Sequence, residues 1–294
     1  MSENPQSRPP AWEPLTPKGV AAFAHASVGR LWLVQGLVAL LAAAALMWFL
    51  HRGWFPVVRA AIRELPAEGE IRGQRLQWQA DSPVQLAGNQ FLGIGVDLNH
   101  SGDLGHAADI QVEFGRRDVR IFFPLDYTPV EYPAGWRAPF NRVRLGPWWG
   151  AWEPALLVLA GLGLAVGLML VWTVLAALYL LPLRLIGFFE NRDLNSGQSW
   201  RLAGAALMPG ALFQVFAIFA YTLGFVDLLN LGSLSGLHFL IGWVYLVVSP
   251  LFLDKSPAAT TLKANPFVVP GSAPETKTDE PSARPPEGNS SATD

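Results

Sequence analysis

Between residues 96 and 109 the chain reads VDLNHSGDLGHAAD, and Asp97, His100, Asp103, His106 and Asp109 recur at every third position. Carboxylate alternates with imidazole, a ligand set that suits zinc. His100, His106 and one of Asp97 or Asp103 would then hold a divalent metal and support metal-dependent catalysis. Spacing of three aligns side chains only on a helix. Gly102 and Gly105 argue against a helix here. Asp, Asn, Ser and Gly are also the residues that turns use for their own backbone hydrogen bonds. The expected structure is therefore a connecting loop of Asx turns, with metal binding as the alternative. No HExxH spacing supports the metal.

Other polar residues lie in apolar surroundings. Gln35, Gln214, Tyr221, Thr222 and His238 fall inside long hydrophobic runs. Polar groups inside a bilayer are costly and are often functional. His238 is expected about one turn inside its run, as an interfacial residue or a helix–helix hydrogen bond, with a proton or substrate role as the alternative. No run carries a buried Asp, Glu, Lys or Arg, which counts against an autonomous ion-coupled pump. GxSxG, P-loop and GxGxxG motifs are missing. The Gly93–Gly95 pair sits inside a strand pattern, and Asp118 and Asp126 lie on or beside a hairpin, where solvation explains them. No cofactor is implied.

The elements that must position these residues follow from composition. The 294 residues are 51% hydrophobic and only 15% charged, against about 25% charged in soluble domains. That is an integral membrane protein with a water-facing part. A net charge of −2 gives no basic field, which excludes nucleic acid as an expected partner. There are no cysteines, so disulfides and thiolate chemistry are excluded.

Leu31–Leu50 is a charge-free run of the length that crosses a bilayer, about 20 residues. The arm ahead of it and its length favour an uncleaved anchor over a signal peptide. Three further spans are expected at about 155–181, 202–226 and 233–253, the third kinked at Pro209–Gly210. The fold class is thus a four-helix α-helical membrane protein with a small β-rich extracytoplasmic domain between helices 1 and 2. Its segments are a disordered or amphipathic cytoplasmic arm (1–29), helix 1 (30–50), the β-domain (51–153), a three-helix block (154–253) and a disordered cytoplasmic tail (254–294). Segment 51–153 holds 11 of the 21 basic and 12 of the 23 acidic residues, as a domain in water should. Alternating stretches predict four or five strands, with a hairpin at Gly115–Asp118. Trp32, Trp48 and Trp54 bracket the first span, and Trp148, Trp149 and Trp152 precede the second, as an interfacial belt would. Gly163-x-x-x-Gly167 is a small-residue pattern for close helix approach. Arg30, Arg184, Arg192, Arg201, Lys255 and Lys263 fall on one side of the four-helix arrangement. Asp227 is the charge of the opposite short loop, so both termini are expected in the cytoplasm. The arginines of 51–153 lie in a long loop, which translocates largely regardless of charge.

Two stretches carry a resemblance. LPAEGEIRGQRLQWQADSPVQLAGNQFLGIGVDL, with Leu65, Pro66, Gly73, Pro83 and Asp97, and SGQSWRLAGAALMP, with Gln198, Arg201, Ala206 and Pro209, resemble a family of uncharacterised bacterial integral membrane proteins, some connected with maltodextrin utilisation. The second stretch also resembles the helical block of Yip1-like membrane proteins. The likeness spans about residues 30–253 and implies the same order of helix, β-domain and helical block. The long Pro-rich ends and the short turn at Asp227 depart from the family.

The function expected is that of a non-catalytic bacterial inner-membrane accessory, sensor or scaffold protein. Its partners would be the lipid bilayer and another membrane protein, or a second copy met through the helices. The alternatives are a transporter or transporter subunit, and a metal-dependent extracytoplasmic enzyme on His100 and His106.

Overall fold

A computed structural model describes residues 12–255. Thr16 opens α1 (Pro17–Ala22) by accepting a hydrogen bond from Gly19 N at 3.0 Å, with Pro17 in the first turn. A 3₁₀ turn, Phe23–His25, follows. Val20, Phe23 and Ala24 are fully buried against the helical block. Within the arm of 1–29, described as disordered or amphipathic from the sequence, residues 17–25 are helical. The apolar side chains of residues 20–24 have a core to enter, and residues 1–11 lie outside the described chain.

Ser27 caps α2 (Val28–Phe49). A wide π turn, Leu50–Trp54, leads straight into α3 (Phe55–Glu64), so one continuous helix runs from Val28 to Glu64. Pro56 explains the wide turn. It has no N–H for the Arg52 carbonyl, and its ring crowds the preceding turn.

The β-domain has eight strands rather than four or five. β1 (Glu70–Arg72), β2 (Arg75–Gln77) and β8 (Arg137–Pro139) form one antiparallel sheet in the order β2-β1-β8. β3 (Val84–Gly88), β4 (Leu92–Val96), β5 (Ile110–Phe114), β6 (Asp118–Phe122) and β7 (Tyr127–Glu131) form the other, in sequence order. Short three-residue strands carry too few alternations to be legible in a sequence. β4 and β5 pair in parallel, so residues 97–109 must return the chain across the sheet. The hairpin at Gly115–Asp118 is present, with Phe114 opposite Val119. The domain core is Leu65 of the α3 end with Ile71, Leu76, Leu86, Val96 and Phe140.

Asn141 caps α4 (Arg142–Leu178), which begins well before the apolar run it contains. Trp148, Trp149 and Trp152 thus lie on its first turns. α5 (Leu180–Phe189) follows. α6 (Ser196–Ala206) opens with a capping box between Asn195 and Gln198. α7 (Met208–Thr222) restarts the helix just ahead of Pro209, where the kink was expected. Asp227 caps α8 (Leu228–Val248). Among the described residues, four helical segments are long and apolar enough to cross a membrane: Val28–Glu64, Arg142–Phe189, Ser196–Thr222 and Leu228–Phe252.

Glycine packing differs from the expected pattern. A Cβ on Gly161 would sit 2.5 Å from Met47 Sδ, so Gly161 is the residue that lets α4 approach α2. Gly163 and Gly167 face open space within the chain. Gly210 plays the same part between α7 and α8, where a Cβ would lie 2.3 Å from the His238 carbonyl oxygen.

Candidate functional site

The 97–109 loop lies on the face of the five-stranded sheet. Glycine makes that possible. A Cβ on Gly95 would meet Leu104 Cδ1 at 2.7 Å, and one on Gly93 would meet Ala108 at 3.5 Å. The parallel register sets Gly93 beside Gln111 and Gly95 beside Glu113. Gln111 and Glu113 are both buried at 2% exposure, whereas Ile110, Val112 and Phe114 are half-buried. The strand therefore turns its polar side chains toward the loop. This inverts the usual reading of alternation, in which the apolar face is the covered one.

Asp97 begins the loop. Its carboxylate accepts from Asn99 N at 3.1 Å and from Ser101 Oγ at 2.7 Å, and Ser101 Oγ also lies 2.8 Å from Asp103 Oδ2. Burial lifts the Asp97 carboxyl. The hydrogen bonds from Ser101, Asn99 and Gly102 outweigh it and hold the group below the ordinary carboxylate range. His100 takes the left-handed conformation (φ 52°), uncommon for a residue with a side chain. Its Nδ1 bonds Glu113 Oε1, and its Nε2 lies 3.1 Å from Asp118 Oδ1. The ring fits only because residue 115 is glycine, since a Cβ there would lie 2.0 Å from Nε2. Tyr132 donates to the Gly115 carbonyl at 3.0 Å, and burial together with the Asp118 charge pushes its phenol up.

The structure does not bring His100, His106, Asp97 and Asp103 together in one ligand set. Both ring nitrogens of His100 are engaged by Glu113 and Asp118. His106 is exposed and its ring packs 4.7 Å from that of Phe122. Asp103 is exposed on the Ser101 turn, and Asp109 turns to the helices. Among the described residues, no group of three His, Cys, Asp or Glu side chains is placed to hold a metal. The loop reading stands, with Glu113 and Asp118 as partners that the spacing did not name. Their signal was the polar residue at every second position of β5.

Asp109 joins the β-domain to the apolar helices. Its Oδ2 accepts a 2.9 Å hydrogen bond from Tyr221 OH on α7. Tyr221 is 4% exposed and packs among Phe49 and Phe91, with ring centroids 5.4 and 5.0 Å away. A Schellman ending positions it. Gly224, left-handed at φ 77°, donates to Tyr221 O at 2.9 Å, and Phe225 N donates to Ala220 O at 2.9 Å. Nearby, Asn89 Nδ2 donates at 2.7 Å to the Gly53 carbonyl in the π turn, while its own side-chain oxygen accepts from Phe91 N and Leu92 N at 2.9 Å.

Within the helices, Gln214 and His238 line one cleft of about 260 Å³. α4 and α8 form its sides, with Trp172 and Trp243 among the wall residues, and α7 with Ala42 of α2 supplies the rest. Gln214 Nε2 donates at 2.9 Å to Ser235 Oγ, which itself donates to the Leu231 carbonyl at 2.8 Å. His238 Nδ1 bonds the Ser235 carbonyl. His238 lies ten residues into α8, which places it about 15 Å along the helix rather than one turn inside it. The difference arises because α8 starts at Leu228, earlier than the apolar run. Gln35 is buried elsewhere and donates to Gly204 O at 3.4 Å, and Thr222 donates back to Ile218 O at 2.8 Å.

No family model, no curated protein and no solved structure matches this chain.

Proposed function

We propose that the protein is a non-catalytic accessory or sensor protein of the bacterial inner membrane. In this reading both termini are cytoplasmic and the β-domain stands outside, where it binds a partner or ligand at the membrane surface. The Tyr221–Asp109 hydrogen bond carries the proposal, because it ties the loop face of the β-domain to a span. A change at the β-domain surface then has a packed route to the helices through Phe91, Tyr221 and Phe49. The engagement of His100 by Glu113 and Asp118 supports the non-catalytic reading, since the loop's imidazole holds the fold rather than facing a substrate. The resemblance to bacterial membrane proteins of the same segment order is consistent with it.

The test is purification of the full-length protein from its native membrane in mild detergent, with co-purifying proteins identified. A stoichiometric partner held by the wild type and lost by Asp109→Ala supports the proposal. A homo-oligomer that carries out substrate uptake in proteoliposomes overturns it in favour of a transporter. Topology has a simple companion test, because the chain has no cysteine. An impermeant maleimide should label Ser101→Cys in intact spheroplasts, and Ser196→Cys only after permeabilisation.

A further inference from the structure

The hairpin between β6 and β7 exposes Phe123, Leu125 and Tyr127, and Leu125 at its tip is 87% exposed. The turn is tight. Phe123 N donates to the Asp126 carbonyl at 2.7 Å, and the Asp126 carboxylate accepts from Tyr127 N at 2.7 Å. Pro124 and Leu125 are the two residues between. Turns in water favour Gly, Pro, Asn, Asp and Ser, so turn chemistry gives no reason for the leucine.

Strand register fixes where this tip lies. Asn89 Nδ2 donates to the Gly53 carbonyl, and Asp109 accepts from Tyr221 OH, so β4 and β5 both begin at the ends of the apolar helices. Leu65, at the far end of α3, shares a core with Val96 at the far end of β4. The strands of the large sheet thus run outward from the helices. β6 is antiparallel to β5 and runs back, with Phe122 opposite Gln111. Two residues past Phe122 the chain is level with Asp109. The tip lies one to two strand spacings to the side of Asp109, about 5–10 Å. Beside Tyr221, in the turn that ends α7, Leu223 and Phe225 are exposed as well, Phe225 at 79%.

We propose that the β6–β7 tip dips into the near leaflet of the bilayer that the helices cross, with Leu125 and Phe123 as its apolar anchor. An exposed apolar cluster marks a protein or a membrane contact. Position decides for lipid, because the tip points back to the level of the helix ends, where Leu223 and Phe225 are exposed. Charge keeps the insertion shallow. Asp126 stays among the headgroups, and so does Arg120, whose guanidinium lies over the Tyr127 ring at 5.3 Å. Such interfacial elements bury their apolar side about 5–10 Å into the headgroup and acyl boundary. The hairpin gives the β-domain a direct lipid contact in addition to Asp109 and its aromatic neighbours. The inference rests on the helices being membrane spans, and not on partner capture by the β-domain.

The test uses the full-length protein, one copy per lipid nanodisc, carrying a single NBD fluorophore. The chain has no cysteine, so Leu125→Cys, Phe123→Cys, Phe225→Cys and Arg117→Cys each take one label. Arg117 is exposed in the β5–β6 turn, at the other end of the strands. Lipids with a nitroxide near the top of the acyl chain should quench the label at 125 roughly threefold more than at 117, since the tip sits at that depth. Iodide in the water should do the reverse. Phe123→Cys gives the same reading if a label at 125 unsettles the turn. Lipid quenching at 225 with none at 125 and 123 overturns the proposal alone. No lipid quenching at 225 either overturns the spanning reading together with it. A label at 125 that is shielded only when two copies share a disc makes the tip a self-contact and overturns the lipid assignment.

Discussion

Tyr221, at the end of α7, donates a 2.9 Å hydrogen bond to Asp109, which ends the loop on the face of the β-domain. The two residues are 112 apart in the chain. Around them Phe49, Phe91 and Tyr221 form a three-ring cluster contributed by α2, the β-domain and α7. A small β-domain buries little of its own surface and is marginal alone. Docking on the helices through this cluster gives it an additional core.

Gly224 sets the position of Tyr221, since its left-handed conformation closes α7. Gly224→Ala should destabilise the protein by about 1 kcal/mol, because an L side chain is strained at that φ. Its Cβ would also meet Gln90 Nε2 at 3.1 Å, on the β-domain turn. Denaturant titration of the full-length protein in micelles measures the loss. Faster hydrogen exchange at residues 89–92 should accompany it.

His100→Ala should cost about 3 kcal/mol. It removes the partner of Glu113, a carboxylate that is 2% exposed, and a buried charge left alone is the costly outcome. His106→Ala, at an exposed ring stacked on Phe122, should stay within about 0.5 kcal/mol. Differential stability of the two variants checks this. A metal site shared by both residues would instead make the variants alike, and both sensitive to added zinc.

Stability should fall at both ends of the pH range. The Asp97 carboxyl is held below its ordinary value of 3.8 by hydrogen bonds that outweigh its burial. A carboxylate lowered by folding adds stability that is present above its unfolded pKa and lost as the pH falls through the folded one. Acid weakening therefore begins near pH 4 and extends below it. Asp97→Asn should flatten that limb. Tyr132 lies at the other end, where burial and then the Asp118 charge raise the phenol above its ordinary 10.0. Its contribution is complete below about pH 10 and is lost as the unfolded chain ionises above it. Melting curves across the range, with Tyr132→Phe as the alkaline control, read both limbs.

Gly210→Ala should separate α7 from α8, because the added carbon falls 2.3 Å from the His238 carbonyl oxygen. Overpacking of this kind costs about 1–3 kcal/mol. Gly163→Ala, whose Cβ would meet nothing within 4 Å, should gain up to about 1 kcal/mol from helix propensity and so separates that effect from packing.

The sequence made the large divisions legible. Long charge-free runs marked the four apolar helices, and alternation with turn residues marked the β-rich insert and its Gly115–Asp118 hairpin. Three kinds of feature lay out of reach. Period-two alternation in β5 does not say which face is covered, and only the loop laid over the strand buries Gln111 and Glu113. Hydropathy dates a helix from its apolar run, whereas caps at Asn141 and Asp227 start α4 and α8 earlier and move His238 to mid-helix. Pairs such as Asp109 with Tyr221, or Asn89 with Gly53, belong to tertiary structure and leave no local signature. The glycines at 93 and 95 were visible. Their reason, a loop laid flat on the sheet, was not.

The central claim is that the β-domain is fixed to the apolar helices through Asp109 and Tyr221, and a double-mutant cycle tests it most directly. Asp109→Ala, Tyr221→Phe and the double variant are unfolded by denaturant in the full-length protein. A coupling energy of about 1–2 kcal/mol between the two positions is the predicted result. Losses that add to within about 0.3 kcal/mol would contradict it, since independent sites behave that way.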